Sequence, residues 1–114
     1  LSPIGAERLV RALIRELNIP IQLHCHSSSG MGIATYVEGV RAGAGAIDCA
    51  VSSMAGFSSQ PPVETLSVIF SETNYSANLD MEAIDRVAKY FNELSNVDSS
   101  IVFVERPFFI CKIA

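Results

Sequence analysis

The stretch IQLHCHSSSG, residues 21–30, is a short apolar run that ends in two histidines, three serines and a glycine. It follows Pro20 after a tight loop, so residues 21–26 are expected to form a buried strand. Side chains alternate along a strand. Gln22, His24 and His26 therefore share one face, and Ile21, Leu23 and Cys25 share the other. The apolar face would meet covering helices and the polar face would look into the interior.

Working outward, residues 3–17 have helical periodicity in Leu9, Val10, Leu13, Ile14 and Leu17. Ser2 can cap this helix and Pro3 suits its first turn. Downstream, Ser27, Ser28 and Ser29 are expected to cap a helix over about Met31–Ala42, closed by Gly43 and Gly45. A second strand is expected over residues 46–54, AIDCAVSSM. Pro61 and Pro62 then open a helix to about Phe70. A last helix runs from about Asp80 to Leu94, capped by Asp80 or Asn78 and burying Met81, Ile84, Val87, Ala88 and Phe91.

The order helix-strand-helix-strand-helix-helix indicates an α/β fold with a parallel sheet. Two parallel strands cannot close on themselves, because each needs neighbours and a helical cover. A TIM (β/α)8 barrel takes about 250 residues. The 114 residues here would supply about a quarter of its strands, so the chain reads as a fragment of such a barrel. Residues 1–97 form the partial barrel in this reading. Residues 98–114 form a separate, β-favouring tail interrupted by Pro107.

Composition narrows the function. The net charge is −4 with no run of Lys or Arg, which argues against nucleic acid or an anionic membrane as partner. No apolar run is long enough to span a bilayer, so no membrane insertion is expected. The first residues show no export signal, and a start at Leu1 suggests a true start upstream. Cys25, Cys49 and Cys111 are odd in number and lie in apolar segments, as expected for reduced thiols in a cytoplasmic protein.

On a strand, Cα atoms two residues apart are about 6.5–7 Å from each other. Imidazoles reaching inward from His24 and His26 can then meet on one divalent ion, at about 2.0–2.1 Å for each Zn–N bond. The alternative is a pair of histidines that are simply hydrogen-bonded. Two ligands are also one short of the three protein ligands typical of a catalytic zinc site. Cys25 points away. Asp48 has the parity to face inward with Ala50 and Ser52, as a ligand, an acceptor behind a ligand, or a structural group. His26 lies at the carboxyl end of its strand, where such sheets put their active sites. There the following helix would offer its positive end to a carboxylate. Ser27, Ser58 and Gln60 fall at the same rim as candidate substrate contacts. Capping is the competing role for the serines.

Taken together, LHCHSSSG, ATY, AGA, IDCAVSSM and SSQP resemble the carboxyltransferase domain of biotin-dependent enzymes. That family includes pyruvate carboxylase and the oxaloacetate decarboxylase alpha subunit. The resemblance runs from LSP at residues 1–3 to about Leu94. It implies a TIM barrel of which these are the seventh and eighth strands. It also implies that His24 and His26 ligate a divalent zinc, manganese or cobalt ion near pyruvate or oxaloacetate. A carboxyl group would pass to or from biotin on a separate carrier domain. Partners would be that carrier, the substrate, and the remaining barrel segments or further copies of the chain.

The sequence departs from the pattern in places. Ser27–Ser28 stand where members have Asp-Thr or Thr-Thr, and Ser58 stands where many have Thr. The family's other ligands, an Asp and a carbamylated Lys, would lie before Leu1, and its proton-relaying Thr would lie beyond residue 114. From Asp98 onward the likeness is lost, whether through an altered frame, divergence or truncation. The chain is thus an enzyme by family, and its activity in isolation is a separate question. An inactive remnant or interaction fragment is the main alternative. An acyl-CoA lyase or Claisen-type synthase of the same superfamily is a lesser one.

Overall fold

The computed structural model describes residues 1–97 and, for the backbone alone, residues 109–112. Ser2 lies in extended backbone and its Oγ accepts from the Gly5 N–H at 3.1 Å, with Pro3 at the start of the helix. This cap begins α1, Pro3–Glu16, as the sequence indicates. After a short loop come β1, Gln22–Leu23, then α2, Gly32–Arg41, and β2, Ala46–Cys49. A single 3-10 turn, Ser52–Met54, leads towards α3, Val63–Phe70, and α4, Met81–Val97. Asp80 starts α4, its Oδ1 accepting from the Ala83 N–H at 3.0 Å. The backbone of β3, Phe109–Lys112, completes a three-stranded sheet in the order β1-β2-β3.

The end of α2 follows from two local bonds. The Ala44 N–H donates to the Gly39 carbonyl and the Gly43 N–H to that of Val40, with Gly43 at φ 112°. This is a Schellman closure, which needs a residue at positive φ and therefore favours glycine. The chain turns directly into β2, which pairs in parallel with β1 in the register Gln22↔Ala46 and Leu23↔Ile47.

Two expected strands are shorter than the sequence suggests. Residues 24–26 keep the alternation, with Cys25 half-buried between exposed His24 and His26, but they leave the ladder. Instead, Tyr36 from α2 takes over the backbone of Cys25. Its hydroxyl accepts from the Cys25 N–H at 3.0 Å and donates to the Cys25 carbonyl at 3.4 Å. The second strand ends at Cys49 because Ala50 bridges to Pro62 and the chain then coils into the 3-10 turn.

The main core joins α2, β2, α3 and α4 around Tyr36, Ile47, Cys49, Leu66, Phe70 and Ile84. Cys49 is fully buried, Cys25 half-buried, and burial raises the Cys25 thiol's pKa. Both fit inert, reduced thiols. A smaller cluster ties α1 to α2 through Val10, Ile21, Ala42 and Ala44. The stripe expected on α1 is only partly used. Val10 is buried, whereas Leu9, Ile14 and Leu17 are each more than two-fifths exposed. α1 packs mainly on α2, and one neighbour covers only part of a helix's apolar stripe. On α4, Ile84 and Ala88 are buried as expected, but Met81 in the first turn is 39% exposed. The side chain of Cys111, residues 98–108 and residues 113–114 lie outside the described residues. Among the described residues, no helix is long and apolar enough to cross a membrane.

This packing can be tested at Tyr36 and at Gly39. Burial pushes the Tyr36 hydroxyl's pKa up, well above its ordinary value of 10.0. The unfolded chain sheds that proton above about pH 10 while the folded chain keeps it, so stability is retained below that pH and falls as pH rises past it. Tyr36→Phe leaves the Cys25 N–H without its acceptor and should cost about 1–3 kcal/mol at neutral pH. It should also flatten the alkaline loss, as urea titrations at pH 7 and pH 10.5 would show. At Gly39, an added Cβ would overlap Leu23 Cδ1. Gly39→Val should therefore lower stability by about 1–3 kcal/mol through overpacking, read from the shift in urea midpoint.

Candidate functional site

The parallel register sets Asp48 on β2 beside His24 at the end of β1. Asp48 is 9% exposed and both of its carboxylate oxygens are used. Oδ1 accepts from Gln22 Nε2 at 2.6 Å, and Oδ2 lies 2.8 Å from His24 Nδ1. A carboxylate oxygen can only accept, so His24 carries a proton on Nδ1 and any coordination falls to Nε2. Of the roles open to Asp48, the geometry selects that of an acceptor behind His24. Gln22 lies on the expected inward face, but its bridge to Asp48 has no signature in the sequence.

His26 is held differently. Its Nδ1 donates to the backbone carbonyl of Ser58. Its Nε2 lies 3.4 Å from the amide nitrogen of Gln60. The two imidazole rings are 5.1 Å apart at their centroids and inclined at 64°. Both Nδ1 atoms thus face oxygen acceptors, the arrangement that fixes tautomer and ring orientation in metal-binding histidines. Among the described residues, no group of three or more His, Cys, Asp and Glu side chains is placed to hold an ion. The pair fits a metal as part of a donor set.

The loop after β2 supplies the acceptor for His26, and three contacts pin it to the loop after β1. The Ser27 N–H donates to the Ser59 carbonyl at 2.8 Å, and Ser28 Oγ donates to the Phe57 carbonyl at 3.0 Å. The His26–Ser58 bond is the third. The loop is closed on itself by Gly56 N–H to Gln60 carbonyl at 3.0 Å and Ser59 N–H to Gly56 carbonyl at 2.7 Å. Gly56 has φ 87° and Phe57 has φ 45°, an uncommon conformation for a bulky residue. Phe57 is 87% exposed, in the loop whose Ser58 carbonyl holds His26. Strand and helix periodicity give no hint of this residue. The one available signal is a Gly followed by an aromatic in a Ser-rich loop.

The serines correct an expectation. α2 is preceded by Met31 in helical backbone and has no side-chain cap. Ser29 Oγ only accepts from the Met31 N–H at 3.4 Å, and Ser28 is turned towards Phe57. Ser27 Oγ packs against Gly32, where an added Cβ would come within 2.8 Å of it. A carbonyl of the facing loop takes the Ser28 hydroxyl, and another takes the Ser27 backbone N–H, which holds these residues away from the helix end. Ser58 contributes its backbone carbonyl to the site. Gln60, expected at the rim, is only 1% exposed and is packed beneath His26.

Comparison with known proteins agrees with this architecture. The family described as HMGL-like matches residues 1–90. A pyruvate carboxylase subunit from Methanothermobacter thermautotrophicus is 38% identical over 102 residues, covering 90% of this chain and 18% of that protein. Pyruvate carboxylase of Bacillus subtilis is 35% identical over 94 residues, covering 82% of this chain and 8% of that protein. In structure, the carboxyl transferase domain of Rhizobium etli pyruvate carboxylase, solved with pyruvate and biocytin, superposes with a TM-score of 0.81. The two are 32% identical, and the match covers 84% of this chain and 16% of that one. The chain spans less than a fifth of each of these relatives. It has the α/β architecture of the carboxyltransferase barrel domain. The chain belongs to the HMGL-like family and is homologous to the carboxyltransferase region of pyruvate carboxylases.

Proposed function

We propose that the chain is the portion of a biotin-dependent carboxyltransferase that contributes His24 and His26 to a divalent metal site. The reaction moves a carboxyl group between biotin and pyruvate or oxaloacetate. One observation carries this reading: two imidazoles at the end of a parallel strand, each with Nδ1 committed to an oxygen, so that both would ligate through Nε2. A bound zinc, manganese or cobalt ion would supply a Lewis acid for the charge that develops as the carboxyl group leaves or is added.

The chain's own residues perform the supporting work. Asp48 accepts a hydrogen bond from the Nδ1–H of His24, which raises the basicity of that ring's other nitrogen. Gln22 donates a hydrogen bond to the second carboxylate oxygen and so keeps Asp48 oriented. Ser58 fixes His26 through a carbonyl, which positions the ring without adding charge. Ser27, Ser28 and Gln60 hold the two rim loops in register around the pair. Ser27 and Ser58 remain the candidate substrate contacts at the rim, while the buried Gln60 acts from beneath His26.

Residues 1–97 correspond in this reading to the seventh and eighth barrel strands with their helices, and residues 98–114 to a divergent tail. The partners are pyruvate or oxaloacetate, a biotin carrier domain, and the remaining barrel segments or another copy of the chain. The exposed apolar residues of α1, such as Ile4 and Leu9, suit such a neighbour. Reduced thiols at Cys25 and Cys49 suit a cytoplasmic setting. An inactive remnant is the second reading, and β3 favours it. β3 lies antiparallel on the edge of β2, where a closed barrel requires a parallel strand.

Metal content of chelator-free, untagged protein should approach one equivalent per assembled site, by elemental analysis. His24→Ala and His26→Ala should each abolish it together with oxaloacetate decarboxylation in the complete protein. Asp48→Asn should lower metal affinity about 10- to 100-fold. Full metal and full activity in both histidine variants would refute the ligand assignment.

A further inference from the structure

The relation of Gln60 to His26 goes beyond positioning a loop. Gln60 is a polar side chain with 1% exposure, and burial of a carboxamide is costly unless its groups are paired. Both of its groups have partners. Oε1 accepts from Ser59 Oγ at 3.3 Å, and Nε2 faces His26 Nε2 at 3.4 Å. The Ser59 hydroxyl can donate or accept and so could meet either end of the amide; His26 decides which end is nitrogen. The Ser58 carbonyl fixes which His26 nitrogen bears the proton. His26 Nε2 is therefore a lone pair, and the Gln60 N–H2 group points at it. That is the same lone pair that coordination would use.

We propose that Gln60 is a placeholder at the metal site: its amide N–H occupies the ligating nitrogen of His26 in the metal-free protein and is displaced when an ion binds. Gln60 is then a positioning residue that acts through His26. It keeps the imidazole aimed before metal arrives and sets a threshold that an ion must exceed. The inference rests on the reading of His26 as a ligand. A neutral hydrogen bond has a net worth of about 0.5–1.5 kcal/mol, so its loss should alter affinity about two- to twelvefold.

The test is a titration of the full chain with Zn2+ alone, followed by 15N NMR of the histidine rings and the glutamine side-chain amides, with affinity measured by calorimetry. In the wild type, the His26 Nε2 signal and the Gln60 amide signal should shift together as Zn2+ is added. Gln60→Leu removes the competing donor at similar volume and should tighten Zn2+ binding about two- to twelvefold. Gln60→Glu places a carboxylate beside the same nitrogen and should tighten it at least as much, which keeps the test open if the Leu variant fails to fold. A Gln60 amide that stays still while His26 shifts would overturn the proposal alone. So would variants that bind Zn2+ no more tightly than the wild type. If Zn2+ moves neither histidine, the ligand reading fails and the placeholder falls with it.

Discussion

The register of β1 against β2 governs the site. Gln22 pairs with Ala46 and Leu23 with Ile47, so that two residues further along each strand His24 comes level with Asp48. A slip of one residue would turn Asp48 away from the histidines and into the helical layer, because strand side chains alternate. The register is held from both ends. The Gly45 N–H donates to the Ile21 carbonyl at 2.9 Å before the pairing starts, and the closure of α2 at Gly43 delivers the chain there. At the other end, Gln22 and His24 both grasp Asp48. The hydrogen bonds that orient the histidines are thus also those that lock the strands.

Beyond the ladder, the site depends on groups that replace it. Tyr36 reaches from the buried side of α2 and satisfies both backbone groups of Cys25, which keeps His24 and His26 alternating where strand pairing has ended. On the opposite side, the loop at residues 56–60 offers the carbonyls of Phe57, Ser58 and Ser59 to Ser28, His26 and Ser27. One histidine is therefore fixed by a carboxylate on a strand and its neighbour by a carbonyl on a loop. An imidazole against a carboxylate is the stronger donor to a metal, and one against a neutral carbonyl is the more easily displaced.

What is legible in the sequence is local. The start of α1 at Ser2 and Pro3, the end of α2 at Gly43 and the start of α4 at Asp80 each depend on one or two neighbouring residues, and in each the structure matches the expectation. The placing of His24 and His26 on one face is legible for the same reason, since it needs only period two. The lengths of the strands are not, because a ladder ends where its neighbours end. Ser27 and Ser28 do not cap because a loop some thirty residues away holds them by its carbonyls, and no local rule reveals those acceptors. The role of Asp48 narrows only once its partners are seen. The apolar stripe of α1 is visible in the sequence, but how much of it is covered depends on what packs against it.

The central claim is that both histidines ligate one ion through Nε2, oriented by the acceptors behind them. X-ray absorption of the Zn2+-loaded chain tests it most directly. Two imidazole nitrogens at about 2.0–2.1 Å, with oxygen donors making up the remainder, is the result the account predicts. A spectrum with sulfur scattering, or with one imidazole or none, would contradict it.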